Sequence, residues 1–199
     1  MNIKSTVAIL GITAGVFAIP ATAQVGAKSS AVYIGGSIGQ GTLRDGCKNS
    51  PLGAGLSCNE GDTAWKVLAG YQVNRNLAFE LGYQDAGTPL KAAAGANTTE
   101  LKENVWDAVA VGTQRLTDVF SVYGKFGGFH STVDQTSNVP GLSASASKNG
   151  LTFGLGMRFD ATRNIAVRGE WQRYLKVGGG QIGTDDLDVI SIGVLWMFR

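Results

Sequence analysis

His130 is the single histidine of this chain, and Ser131 follows it directly. A histidine beside a serine raises acyl-transfer chemistry: a general base next to a nucleophile. Such a pair works only within hydrogen-bond reach and with an acid orienting the base. The preceding run, "SVYGKFGGFH", has the two-residue period of a β-strand, and strand neighbours point to opposite faces. The two side chains therefore diverge, and Asp134 falls in the polar stretch beyond them. No catalytic residue is expected. Cys47 and Cys58, the two cysteines, lie in one polar, Gly-rich stretch, "RDGCKNSPLGAGLSCNEGD". With no histidine or further cysteine nearby, they predict a disulfide rather than a metal site. Closing so short a loop contributes roughly 3 kcal/mol on the chain-entropy argument. No metal site and no cofactor are expected.

The remaining chemistry-bearing residues are isolated charges: Lys66, Glu80, Lys125, Arg158, Arg168 and Glu170. Each sits on the more polar face of an alternating segment. "AWKVLAGYQV" sets Trp65, Val67, Ala69 and Tyr71 against Lys66, Leu68, Gly70 and Gln72. "LAFELGYQD" sets Leu77, Phe79, Leu81 and Tyr83 against Ala78, Glu80, Gly82 and Gln84. "LTFGLGMRFD" and "IAVRGEWQRY" place Arg158, Arg168 and Glu170 opposite Leu155, Met157, Val167 and Trp171. "AVYIGGSIGQG" and the closing "DLDVISIGVLWMFR" alternate too, whereas "VWDAVAVGT" is ambiguous, with Trp106 read as outside and Asp107 as inside. Period-two alternation marks strands with two different faces.

About eight such segments occur, each near the ~9–11 residues a tilted transmembrane strand needs. The connections alternate in length. Short ones fall at residues 74–76, 116–118 and 161–164; long polar ones span about 44–62, 84–103, 131–148 and 176–185. That pattern predicts an all-β fold, an eight-stranded antiparallel up-and-down transmembrane β-barrel. Short turns and both termini would lie in the periplasm, and long loops outside the cell.

The chain opens "MNIKSTVAILGITAGVFAIPATAQ": one early lysine, a short apolar stretch and an A-x-A site. This reads as a signal peptide over 1–23, with the barrel domain over 24–199. The formal net charge is only +2, and Lys4 of the signal supplies part of it, so nothing points to a nucleic-acid partner. A soluble, lipocalin-like carrier of a small ligand would share the strand period but carry its apolar face inward. Charged residues make up only 16 per cent of the chain, less than a water-facing surface normally has. Aromatics also collect near segment ends, as in the girdles of membrane barrels. The long loops lack aromatic anchors and name no partner.

Two stretches carry a family resemblance. Ile190, Ile192, Val194, Trp196 and Phe198 resemble the C-terminal assembly signal of bacterial outer-membrane barrels, with Arg199 as a departure after the terminal aromatic. "GYQVNRNLAFELGYQDAG", "LTDVFSVYGKFGG" and "GMRFDATRNIAVRGEWQRY" resemble the hairpins of the OmpA-type transmembrane domain and its superfamily of small barrels. The resemblance implies a monomeric outer-membrane barrel in contact with lipid and lipopolysaccharide, inserted by the barrel assembly machinery. It also implies a structural or surface-interaction role, with at most a narrow pore, and no enzymatic activity. The lipid A-modifying barrels are the enzymatic alternative, but their H-x-S pattern is absent here. OmpA continues into a peptidoglycan-binding domain; this sequence ends at the barrel, so cell-wall anchoring is not expected. In the family a carboxylate matching Glu80 pairs with an arginine matching Arg168, and exchange to a lysine is linked to pore opening. No lysine occupies the middle of the fourth segment here, and Arg158 stands where the family often has an acid. Four bases against two acids would then face the lumen. Loss of Glu80 is expected to destabilise the barrel and raise conductance, and loss of Glu170 to do so less strongly.

Overall fold

A computed structural model describes residues 31–44, 57–59, 61–88, 90–94, 97–137, 144–178 and 184–198. The expected signal peptide, Cys47 and Arg199 lie outside these residues. The described chain forms ten strands: β1 (Ala31–Leu43), β2 (Ser57–Asn59), β3 (Gly61–Gln72), β4 (Leu77–Asp85), β5 (Leu90–Ala94), β6 (Asn97–Arg115), β7 (Phe120–Ser137), β8 (Ala144–Asp160), β9 (Ile165–Gly178) and β10 (Thr184–Phe198). Eight of them close an antiparallel ring in the order β1-β3-β4-β6-β7-β8-β9-β10, with β10 pairing back onto β1. Through the membrane, closure leaves the ring no open edge, so every strand's backbone groups find partners there.

The three short turns share one local device. Asn74 Oδ1 accepts from the backbone N–H of Asn76 and Leu77 at 2.8 and 2.9 Å. Thr117 Oγ1 accepts from Phe120 N–H at 3.0 Å, and Thr162 Oγ1 from Ile165 N–H at 3.0 Å. Side-chain oxygens that mimic a backbone acceptor favour tight reversal over further strand. All three turns lie at the end of the barrel where Val32 pairs with Phe198, the periplasmic end.

The other end departs from the sequence reading. The stretches over 84–103 and 131–148 are largely strand, not loop. β7 and β8 stay paired from Phe120–Phe159 up to Gln135–Ala144, and β5 folds back on β6 from Leu90–Leu101 to Ala94–Asn97. β2, within the expected first loop, pairs with β5. Several ring strands, such as β6 with 19 residues and β7 with 18, are accordingly much longer than a bilayer crossing needs. Antiparallel pairing satisfies backbone groups in water as well as in lipid, so a hairpin need not stop where hydrophobicity does.

The outward face between the two ends is apolar and exposed: Ile190 is 67 per cent accessible and Leu155 62 per cent. Rings border this belt. Towards the cell exterior, Trp65, Tyr83 and Trp106 touch in series with centroids 5.6 and 4.9 Å apart. Tyr71, Phe79, Phe159, Trp196 and Phe198 lie on the outward face near the periplasmic end. Ile190, Ile192, Val194, Trp196 and Phe198 all face outward from β10. A folded surface of this kind is stable only against lipid.

Candidate functional site

The barrel interior is filled in layers. Nearest the periplasm, Tyr33, Ala78, Val111, Tyr123, Leu195 and Met197 pack together. Above them lies the charged layer. Nearest the cell exterior is a second apolar layer that includes Leu43, Val105, Phe129, Tyr174, Leu187 and Val189. A ring of eight strands leaves an interior that side chains can fill, and here they do.

Two tyrosine–glycine pairs shape the charged layer from below. Tyr33 lies beside its register partner Gly70, and Tyr123 beside Gly156. A Cβ on Gly70 would fall 2.2 Å from the Tyr33 ring, and one on Gly156 2.4 Å from that of Tyr123, so only glycine lets each ring lie across the lumen. Tyr33 then donates its hydroxyl proton to Glu80 Oε1 at 2.9 Å, and Tyr123 donates to Glu170 Oε2 at 2.8 Å.

Between these carboxylates stand two cations. Arg168 Nη1 donates to Glu80 Oε1 at 2.8 Å, and its Nη2 lies 3.5 Å from Glu170 Oε2. Lys125 Nζ lies 2.6 Å from Glu170 Oε1 and 3.8 Å from Glu80 Oε2. One step towards the exterior, Lys66 forms a buried ion pair with Asp107. Gln172 joins the two groups, because its Oε1 accepts from Lys66 at 3.0 Å and from Lys125 at 3.2 Å. The network thus has three cations (Lys66, Lys125, Arg168) and three carboxylates (Glu80, Asp107, Glu170), and its formal charge cancels.

This geometry corrects the four-to-two charge count. Asp107 points inward and supplies the third acid. Arg158 also points into the lumen, as its strand position predicts, but nearer the periplasmic end, where its guanidinium reaches Met197 and is offset by its own partner, Asp160, at 2.7 Å. Glu170 is no more peripheral than Glu80, since it touches both Arg168 and Lys125. The lysine near Glu80 comes from β7 rather than from the fourth ring strand. Sequence reasoning left Tyr33, Tyr123, Tyr174 and Thr152 out of the network. The available signal was a tyrosine whose strand neighbour is glycine.

Glu103 is a further buried carboxyl, beyond Trp106 towards the exterior, and its Oε1 has no hydrogen-bond partner among the described residues. A buried polar group left unpaired costs about 1–3 kcal/mol, and more when charged. Burial, with the nearby Asp185 carboxylate, pushes the pKa of the Glu103 carboxyl up to about 8, so at pH 9 it is ionised without a partner and Glu103→Gln is expected to raise stability there by an amount of that order. Equilibrium urea unfolding of both proteins from lipid vesicles checks this, and an unchanged midpoint would show that the carboxyl is already compensated.

The acyl-transfer pair does not assemble. His130 is exposed and its Nδ1 lies 2.7 Å from Asn149 Oδ1, whereas Ser131 is buried on the other face with its hydroxyl on the Lys148 carbonyl at 3.5 Å. No group of three or more metal-ligating side chains occurs among the described residues.

An apolar outer belt, aromatic borders, a closed ring of eight strands and a packed interior define a bacterial outer-membrane β-barrel. The chain belongs to the OmpA-like transmembrane domain family, whose model matches residues 27–199. Outer membrane protein A of Klebsiella aerogenes is 28 per cent identical over 198 residues, covering 98 per cent of this chain and 55 per cent of the relative. Outer membrane protein A of Salmonella typhi is 30 per cent identical over 205 residues, covering 98 and 55 per cent. Outer membrane protein P5 of Haemophilus influenzae is 29 per cent identical over 189 residues, covering 86 and 52 per cent. The chain thus spans about half the length of the curated relatives it matches. Among solved structures, Neisserial surface protein A superposes with a TM-score of 0.61 at 17 per cent identity, covering 84 per cent of this chain and 97 per cent of that one. The N-terminal β-barrel domain of Pseudomonas aeruginosa OprF gives 0.55 at 11 per cent identity, with 84 and 97 per cent covered. These two likenesses concern the fold.

Proposed function

We propose that this protein is a closed, monomeric outer-membrane barrel of structural and surface-presenting role, without enzymatic activity. The observation that carries the reading is the inverted arrangement of the wall. Large apolar side chains face out, and the interior is occupied by a charge-balanced network between two packed apolar layers. Such a barrel holds its hairpins at the cell surface on a rigid base and offers no route for bulk solute. The separation of His130 from Ser131 supports the non-enzymatic reading. The outward set from Ile190 to Phe198 supports its use as the signal read by the barrel assembly machinery, with the leader over 1–23 directing export.

Liposome swelling tests the reading. Vesicles containing the purified protein should swell in small sugars no faster than empty vesicles. Porin-like swelling, or transfer of lipid A acyl chains by the same preparation, would overturn it. We propose that Cys47 and Cys58 are joined and face the cell exterior. Alkylation before reduction should then label neither cysteine and alkylation after reduction both; free labelling without reductant would exclude the bridge.

A further inference from the structure

We propose that the exterior end of β8, from Ala144 to Gly150, is a docking edge for a partner protein, which adds an extended segment there as a further strand. This rests on the reading of the chain as a surface-presenting barrel and gives the chemistry of what it presents.

Strand pairing closes the ring through the membrane but not above it. β7 and β8 stay paired without a register shift as far as Gln135–Ala144, whereas β8 and β9 pair only from Asp160–Ala166 to Thr152–Tyr174. The cause lies in β9. Parity would put Val177 outside with Trp171 and Arg173, yet Val177 is buried in the exterior apolar layer. Lys176, with a φ of 55°, and Gly178, with 79°, turn the chain, and the register of β9 with β10 shifts between Asp185 and Leu187. The Lys176 N–H is held on Asp186 Oδ1 at 3.0 Å. β9 therefore bends over the mouth, and among the described residues Ala144–Gly150 have a strand on one side only.

The unpaired backbone has a defined direction. Asp160 N–H donates to the Val119 carbonyl at 2.8 Å. Bonded pairs recur at every second residue of an antiparallel register, so Ala144, Ala146, Lys148 and Gly150 turn their backbone groups to β7. Ser145, Ser147 and Asn149 turn theirs to the open side, and all three are exposed. Asn149 shares a row with Trp106 through His130, so the edge starts at the aromatic border and rises into the exterior. At about 3.3 Å per residue it runs for about 20 Å. Exposed edges are normally guarded by proline, a bulge or several charges. This one, "ASASKNG", has no proline, no register shift and a single charge, Lys148. A row of spare N–H and C=O groups is matched by another extended backbone, and the small side chains leave room for it. Lys148 favours an acidic residue opposite it on the incoming strand.

Fluorescence anisotropy on the full protein in lipid nanodiscs tests the proposal. The probe is a labelled peptide copying residues 130–136, the part of β7 that already pairs with this run and carries Asp134. It should bind saturably. Ser147→Pro removes one N–H on the open side, leaves the bonds to β7 in place and should weaken binding at least tenfold. The same peptide N-methylated throughout keeps its side chains, loses its donors and should also bind at least tenfold more weakly. That second comparison stands should Ser147→Pro not fold. Absence of saturable binding, or undiminished binding in either comparison, would overturn the proposal. A concentration-dependent dimer of the parent that Ser147→Pro abolishes would also overturn it, in favour of a second copy as the occupant. Loss of heat-dependent electrophoretic mobility in the parent would instead overturn the closed-barrel reading.

Discussion

Replacing Glu80 with alanine is expected to lower the stability of the barrel by about 3–5 kcal/mol, read as a fall in the urea midpoint. Glu80 holds Arg168, receives the Tyr33 hydroxyl and lies near Lys125, all in the membrane interior. Its loss leaves two carboxylates for three buried cations and strands the Arg168 guanidinium on Glu170 alone. The damage comes mainly from that uncompensated charge, so removing Arg168 as well should recover part of it. A double-mutant cycle over Glu80 and Arg168 should show a coupling well above the few tenths of a kcal/mol expected of independent sites. Glu170→Ala should cost about as much as Glu80→Ala, because Lys125, Arg168 and Tyr123 all converge on it. Additive losses at Glu80 and Arg168 would show that the pair does not act as a unit.

The second large effect belongs to the outer face. Leu155 stands in the middle of the apolar row on β8, between Phe153 and Met157, and is 62 per cent exposed. Leu155→Arg should cost about 2–4 kcal/mol in lipid vesicles, while arginine at Leu151, nearer the exterior border, should cost less, falling towards zero at the interface. The gradient matters more than either value. A water-facing surface has no depth, so equal small costs at both positions would contradict a lipid-facing wall.

Much of this architecture is written in the alternation of single segments. Glu80 and Arg168 could be placed in one interior from strand parity alone, because their segments pair large outward residues with small or charged inward ones. Asp107 was harder. Its strand places Val105, Val109 and Val111 inside and Ala108, Ala110 and Gly112 outside, so the hydrophobic rule runs backwards and only Trp106 reports the outer face. The cause is the narrowness of the ring: an interior filled by side chains takes valine as readily as lysine, and a lipid-facing wall tolerates alanine and glycine. The exterior apolar layer was hidden for the same reason, since Phe129, Tyr174 and Leu187 lie on what parity marks as the polar face. The partners of each charge depend on the stagger of neighbouring strands, which one segment does not encode. Thus Lys66 finds Asp107 across 41 residues and Gln172 across 106. Hairpin length was illegible too, because the pairs above the membrane are held by backbone hydrogen bonds that any polar sequence can make.

The central claim is a wall with its apolar face outward, closed on itself by strand pairing and needing lipid or detergent around it. Electrophoretic mobility in dodecyl sulfate, with and without boiling, tests it most directly. A closed barrel resists the detergent until heated, so the unboiled protein should run at a different apparent mass from the boiled one and should require detergent to stay in solution. Identical mobility before and after boiling, together with solubility in plain buffer, would contradict the account and point to a soluble barrel with its apolar face inside.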